Sequence, residues 1–103
     1  GGFNVYPREV EDTLLEHPEI SNAIVIGIPD EKWGEAVKAV VVGKTGSSVS
    51  EAELISFCKE KRGSIMAPKS IDFADELPLT PLGKPDRKVV REKYWADHDR
   101  QVS

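Results

Sequence analysis

The pattern of apolar and polar positions first predicts a helix near the start of the chain. Val10 and Leu14 recur at helical spacing, with Thr13 on the same face. Pro7 suits the first position of this helix because it has no backbone N–H that needs a partner there. Pro18 ends the segment, since the residue before a proline avoids the helical conformation.

Three segments rich in β-branched and aromatic residues have the character of strands instead. Residues 20–28 form an apolar run without a helical period, and residues 36–42 form a second one. The polar connection between these two runs is short, which favours an antiparallel pair. A third, shorter strand is predicted over residues 69–75, with Ile71 and Phe73 on one face.

A second helix is predicted after Ser50, which can form a capping box with Glu53 three residues later. Leu54 and Cys58 lie on the inward face of this helix, and Gly63 marks its end. Cys58 is the only cysteine in the chain, so it cannot form an internal disulfide. We interpret it as a small buried hydrophobe.

The last predicted helix follows a proline-rich loop. Asp86 can cap this helix, which is expected to span residues 87–95 with Val90 and Tyr94 turned inward. Beyond it, we expect residues 96–103 to form a frayed tail.

The order helix, strand, strand, helix, strand, helix predicts an α+β fold. In this fold, helices cover a small, mainly antiparallel three-stranded sheet in two layers. Residues 1–103 fit a single domain, and 39% apolar and 31% charged residues are typical of a soluble globular protein.

Charge and hydropathy narrow the classes of function. The net charge of −4 provides no basic field for nucleic acid, and no apolar run is long enough to span a membrane. There is no signal-peptide pattern, so we expect a cytoplasmic protein. His17 and His98 have no cysteine or carboxylate partner at metal-ligand spacing, and no metal site is predicted.

The sequence LPLTPLGKPDRK, residues 77–88, holds the clearest candidate for chemistry. Pro78 and Pro81 fix their own backbone and favour an extended residue before each of them, while Gly83 permits a sharp turn. These residues predict a stiff loop that presents Lys84, whose ammonium group suits phosphate or carboxylate oxygens. On the chemistry alone, a solvated lysine in a linking loop is the more frequent arrangement.

Three motifs together carry a family resemblance. LPLTPLGKPDRK resembles the last core motif of the adenylate-forming enzymes, which include acyl-CoA synthetases, luciferases and the adenylation domains of peptide synthetases. GGFNVYPREVE, residues 1–11, resembles the start of the small C-terminal domain in the acyl-CoA synthetase branch. GIPDEKWGEAVKAVVV, residues 27–42, resembles the segment between them, and the order and spacing agree over nearly the whole chain.

The resemblance implies a lid on a larger N-terminal adenylation domain that binds ATP, magnesium and a fatty or other hydrophobic carboxylic acid. One pose of the lid would bring Lys84 into that site to form the acyl-adenylate, with Thr80 and Gly83 supporting the loop. The other pose would admit the thiol of CoA and form the thioester. The chain starts without methionine, so we expect a fragment that binds none of these ligands tightly and is inactive alone.

The resemblance also implies contacts with CoA. Gly1, Gly2 and Phe3 match the loop beside the pantetheine tunnel, although a flexible terminus is the simpler interpretation from the residues alone. Trp33 matches a tryptophan that packs against CoA in some relatives, and a cover for the local core is an equal alternative. The residues before Pro68 depart from the family, because they lack the aromatic and basic side chains that often contact the CoA nucleotide.

Two alternative functions stay open at this point. The first is the same lid in a peptide-synthetase adenylation domain, which loads a carrier protein, although residues 1–11 favour the CoA branch. The second is a stand-alone α+β binding module without chemistry. Separately, Pro78, Gly83 and Lys84 match a pattern that is linked, in bacterial relatives, to acetylation of the adenylation lysine, which would remove its charge.

Overall fold

The sheet and its helices follow the predicted order along the chain. The computed structural model describes residues 7–30 and 34–102, with side chains described as far as residue 98. The elements are α1 (Pro7–Leu15), β1 (Ile20–Asp30), β2 (Gly34–Gly43), α2 (Glu51–Arg62), a short 3₁₀ turn (Ser64–Met66), β3 (Ser70–Phe73) and α3 (Arg87–Val102).

The sheet has three strands in the order β1-β2-β3. β1 and β2 pair antiparallel along their whole length, from Ile20 opposite Gly43 to Asp30 opposite Gly34. β3 pairs with β2 in parallel, and α2 lies in the crossover that a parallel connection requires. The predicted α+β class and the mainly antiparallel, three-stranded sheet are therefore confirmed.

Helices cover both faces of the sheet. The first face packs against α1 and α2, and its buried cluster includes Val25, Val41 and Leu54. The second face packs against α3 and the segment before it, and its buried cluster consists of Ile24, Ile26, Val40, Leu77 and Val90. The fold thus has three layers where two were expected. The reason lies in β1, whose consecutive buried residues 23–26 alternate between the faces, so that each face needs a cover.

The buried residues of α1 and the two ends of α2 agree with the prediction from the sequence. Val10, Thr13 and Leu14 are buried on α1. At the start of α2, the Ser50 hydroxyl oxygen accepts a hydrogen bond of 3.1 Å from the backbone N–H of Glu53. At its end, Gly63 adopts a φ of +86°, and its N–H donates to the carbonyl of Lys59.

The third strand spans Ser70–Phe73. Ile71 and Phe73 pair with Ala39 and Val41 of β2, so they lie on one face as predicted, although Phe73 is 48% exposed while Ile71 is 4% exposed. Phe73 is the last residue of an edge strand, where the cover of the sheet ends.

One detail of the prediction is wrong, because α3 continues to Val102 instead of ending at Trp95, and the segment expected to fray is helical as far as it is described. No glycine or proline follows Pro85 to stop the helix. In addition, the Trp95 indole N–H donates to the carbonyl of Gly27 on β1, at 2.9 Å, and ties the helix to the sheet beyond its predicted end.

Candidate functional site

The proline-rich loop before α3 is closed by backbone hydrogen bonds. Leu79 and Pro85 form an isolated antiparallel bridge. On either side of this bridge, the N–H of Asp86 donates to the carbonyl of Pro78 at 2.8 Å, and the N–H of Thr80 donates to the carbonyl of Lys84 at 2.7 Å. We call residues 78–86 the lysine loop, since its two limbs are joined up to the turn that precedes Lys84.

The turn at the tip depends on Thr80 and Gly83. The N–H of Gly83 donates to the carbonyl of Thr80 at 2.9 Å, which closes a four-residue turn with Pro81 in its second position. The Thr80 hydroxyl oxygen accepts bonds from the N–H groups of Leu82 and Lys84, at 3.3 and 3.4 Å. Gly83 has a φ of +83°, a conformation that other residues adopt only with strain.

Lys84 emerges from this closed loop with an exposed side chain. Within the described ranges, its ammonium group takes part in no salt bridge or side-chain hydrogen bond. Lys84 and Pro85 border a shallow pocket of about 350 Å³, which also includes Glu11 and Asp12 of α1 and Asn22 of β1. The loop therefore fixes the backbone of Lys84 and leaves the charged end unengaged by the described part of the domain.

The base of the lysine loop is tied to α1 and β1 by side chains. Arg87, the first residue of α3, places its Nη2 atom 2.7 Å from both carboxylate oxygens of Glu11. The Nε–H of Arg87 donates to the carbonyl of Val25 at 3.2 Å. The N–H of the same Val25 donates to Glu11 at 2.7 Å. We call the contacts among Glu11, Arg87 and the Val25 backbone the brace.

A second polar cluster joins the sheet to α3. The ammonium group of Lys38 on β2 lies 2.9 Å from the carboxylate of Asp72 on β3, and the Tyr94 hydroxyl of α3 donates to the other oxygen of that carboxylate. Burial acts to raise the pKa of Asp72, but the hydrogen bonds from Tyr94 and Lys38 outweigh it and hold that pKa below its usual value. Burial, with the Asp72 charge, raises the pKa of Tyr94. This cluster fixes α3 on the second face of the sheet.

The residues that the resemblance assigns to contacts with CoA are not described by the structure. Gly1, Gly2, Phe3 and Trp33 lie outside the described residues. Glu35, two residues after Trp33, forms a salt bridge with Arg91 at 3.6 Å.

Cys58 is fully buried, and burial raises the pKa of its thiol to about 11, as fits an inert buried residue. In the part of the chain that the structure describes, no group of three or more His, Cys, Asp or Glu side chains is arranged to hold a metal ion.

The brace was not found from the sequence. Glu11 and Arg87 are 76 positions apart, and either alone has the character of an ordinary charged residue on a helix. The only available signal was the opposite charge of the two side chains, which does not identify a pair among many charged residues.

Residues 9–84, nearly three quarters of the chain, match the family described as the AMP-binding enzyme C-terminal domain. The chain belongs to this family. Among curated proteins, it is 50% identical to the medium/long-chain-fatty-acid–CoA ligase FadD8 of Mycobacterium tuberculosis, a match that covers 99% of the chain and 19% of that ligase. It is 40% identical to the fatty acid–[acyl-carrier-protein] ligase ScoC of Streptomyces coeruleorubidus, over 99% of the chain and 20% of ScoC.

The fold agrees with this assignment. A solved fatty acyl CoA synthetase of Mycobacterium tuberculosis superposes with a TM-score of 0.85 at 41% identity, over 94% of the chain and 19% of that structure. The chain thus spans about a fifth of the length of the relatives that it matches. None of the helices in the described residues combines the length and the apolar character needed to cross a membrane.

Proposed function

We propose that this chain is the C-terminal domain of an AMP-forming acyl-CoA synthetase and that Lys84 is its catalytic residue for adenylation. The observation that carries the proposal is the lysine loop, which holds the backbone of Lys84 by several hydrogen bonds and leaves its ammonium group exposed and without a described partner. The family match and the similarity to fatty-acid–CoA ligases support a fatty or other hydrophobic carboxylic acid as the substrate.

In the first half-reaction, a carboxylate oxygen of the acid attacks the α-phosphorus of ATP. A new oxygen–phosphorus bond forms, pyrophosphate leaves, and acyl-AMP results. Negative charge develops on the oxygens around the α-phosphorus, and the Lys84 ammonium group would stabilise it. A lysine delivered by a closed loop loses less conformational freedom on reaching this geometry than a mobile one, so the loop contributes to the rate through positioning.

In the second half-reaction, the thiol of CoA loses its proton and attacks the acyl carbonyl, a carbon–sulfur bond forms, and AMP leaves. We assign the CoA-facing surface to Gly1, Gly2, Phe3 and Trp33, on the strength of the motifs alone. ATP, magnesium and the acid would be held by a larger N-terminal domain of the same cytoplasmic enzyme, so this chain alone should be inactive.

The proposal is tested by measuring the two half-reactions separately in the full-length enzyme with the substitution Lys84→Ala. Adenylation, followed by ATP–pyrophosphate exchange, should fall by about 100- to 1,000-fold, because a donor aimed at developing charge is lost. Transfer of the acyl group from preformed acyl-AMP to CoA should stay close to the wild-type rate. Lys88→Ala, which removes the same charge from an exposed position four residues further on, is the matched control and should change neither rate. Equal losses in both half-reactions would refute the assignment of Lys84.

A second candidate function is supported by the 40% identity with a ligase named for an acyl carrier protein as acceptor. In that case the thiol belongs to the phosphopantetheine arm of a carrier protein, and the adenylation step is unchanged. Offering either free CoA or a carrier protein with a free phosphopantetheine thiol to the enzyme that holds acyl-AMP separates the two acceptors. A stand-alone binding module is not supported by any of the relatives named above, each of which is a longer ligase.

A further inference from the structure

We propose that Glu11 and Arg87 are positioning residues for Lys84, and that the brace sets the place from which the lysine loop leaves the domain. This inference rests on the proposed role of Lys84 in adenylation. It adds two residues that do not themselves touch the reacting atoms, and it assigns them a function beyond the stability of the fold.

The brace joins three separate elements at one point. A single Arg87 nitrogen, Nη2, lies 2.7 Å from both carboxylate oxygens of Glu11, while the Nε–H of the same planar group donates to the carbonyl of Val25 at 3.2 Å. Two nitrogens held by two different partners fix the direction of the guanidinium group as well as its distance. Glu11 and Arg87 together also bind both backbone polar groups of Val25. β1 is an edge strand, so groups on its outer side have no neighbouring strand to bind. The brace therefore attaches the first residue of α3 to a rigid part of the sheet.

The attachment point lies three residues after Lys84. The lysine loop is closed within itself, by the bonds between Pro78 and Asp86 and between Thr80 and Lys84. It can therefore move as one body about its base, and its internal bonds do not resist that motion. Among the described contacts, the side-chain bonds nearest the C-terminal limb of the loop that reach α1 and β1 are those of Arg87. Loss of the brace would leave the loop intact and misdirect the amine that it carries.

The burial of Glu11 distinguishes its salt bridge from the Glu16–Lys61 and Glu35–Arg91 salt bridges. The Glu11 side chain is 13% exposed, and its partner Arg87 is 45% exposed. By contrast, Glu16 and Lys61 lie 3.6 Å apart and are each about half exposed, as are Glu35 and Arg91. Exposed pairs of that kind contribute little to stability. They provide matched controls, because the same chemical changes can be made where no brace exists.

The experiment compares Arg87→Lys with Arg91→Lys, and Glu11→Gln with Glu16→Gln, in the full-length enzyme. Arg87→Lys keeps the charge but has a single nitrogen, which cannot bind Glu11 and the Val25 carbonyl through two atoms of one planar group. We expect both brace variants to lower kcat for adenylation by about 10- to 100-fold, as a displacement of about 1 Å at a reacting group can do. KM for ATP and the rate of thioester formation from preformed acyl-AMP should stay near wild type. The control variants should leave both half-reactions unchanged, with folding followed by circular dichroism.

A purely structural role predicts a different result, namely equal losses in both half-reactions or unfolding of both brace variants, and either finding overturns the inference. The sharper test combines Arg87→Lys with Lys84→Ala. If Arg87 acts through Lys84, the double variant should adenylate no more slowly than Lys84→Ala alone. A further loss of the full size seen for Arg87→Lys alone also overturns the inference.

The same data separate the two levels of the proposal. If Lys84→Ala spares adenylation, the proposed function fails, and the role of the brace fails with it. If Lys84→Ala abolishes adenylation selectively while Arg87→Lys and Glu11→Gln behave like their controls, the proposed function stands and the brace alone is rejected.

Discussion

The two faces of the sheet differ in how they are held together. Among the described residues, the cluster on the first face contains twelve buried residues, from α1, α2, all three strands and the segments next to α2, whereas the cluster on the second face contains five. On the second face, the Lys38–Asp72–Tyr94 cluster adds polar contacts between the sheet and α3, and the brace joins the start of α3 to α1 and the edge strand β1. Apolar burial therefore concentrates on one side of the sheet, and the lysine loop is attached to the other.

This difference indicates that the first face mainly stabilises the fold, whereas the lysine loop mainly serves the chemistry. A substitution in a large buried cluster is strongly destabilising, because it removes both apolar burial and packing. The lysine loop contains little buried apolar surface, since Leu79 and Leu82 are 58% and 87% exposed, and its shape comes from hydrogen bonds and backbone preferences. Substitutions on the first face should therefore change stability and leave the ratio of the two half-reactions alone, and substitutions in the loop should do the reverse.

The largest effect on stability is expected for Leu54→Ala on the first face. Leu54 is fully buried, so the change should reduce the free energy of unfolding by about 2–5 kcal/mol, through lost burial and a cavity. Urea denaturation measures this. Leu82→Ala makes the same chemical change at an exposed position and should shift the free energy by no more than about 0.5 kcal/mol. Similar losses for the two variants would contradict the proposed division.

A smaller effect on stability, with a selective effect on catalysis, is expected for Gly83→Ala. The φ of +83° forces alanine into a left-handed conformation, which costs about 1 kcal/mol. Gly46 is a close match, since its φ is +82° and, as at Gly83, no atom lies within 4 Å of an added Cβ. Gly46→Ala should therefore reduce stability about as much as Gly83→Ala.

The two glycine variants should differ in the half-reactions of the full-length enzyme. Only Gly83→Ala changes the turn before Lys84, so only it should slow adenylation relative to thioester formation. If Gly46→Ala slows adenylation as much as Gly83→Ala does, the effect comes from lost stability, and the turn at Gly83 has no specific role in positioning Lys84.

Much of the fold could be predicted because its signals are local. The period of Val10 and Leu14, the cap at Ser50 and the left-handed Gly63 all act within a few residues of chain, and they set the helices that the structure contains. The lysine loop was also predictable, since prolines and a glycine restrict the backbone next to Lys84 whatever the rest of the fold does.

The third layer, the length of α3 and the brace could not be predicted, because they depend on contacts between residues far apart in the sequence. The third layer requires α3 to cross to the second face, and the length of α3 is supported by the contact of Trp95 with Gly27, 68 positions away. The brace joins Glu11 to Arg87 across almost the whole domain. No local pattern specifies such pairs, because their geometry exists only once the sheet has formed.

The smallest effect concerns the polar cluster on the second face and its dependence on pH. The pKa of Asp72 is lowered in the folded chain, so the ionised carboxylate favours the folded state. Its contribution is complete above the pKa of the unfolded chain, near 3.8, and is lost as the pH falls through the lower, folded value. Asp72 is 44% exposed, which limits this contribution to less than about 1 kcal/mol.

Urea denaturation between pH 7 and pH 2 should therefore show the wild type and Asp72→Asn converging as the pH falls below about 4. Tyr94→Phe keeps the ring and removes the hydroxyl that stabilises the ionised carboxylate, so it should shift the pH dependence in the same direction by a smaller amount. Parallel curves for the wild type and Asp72→Asn over this range would mean that the cluster does not hold α3 by charge. The attachment of α3 would then depend on the buried residues of the second face, the Trp95–Gly27 hydrogen bond and the brace.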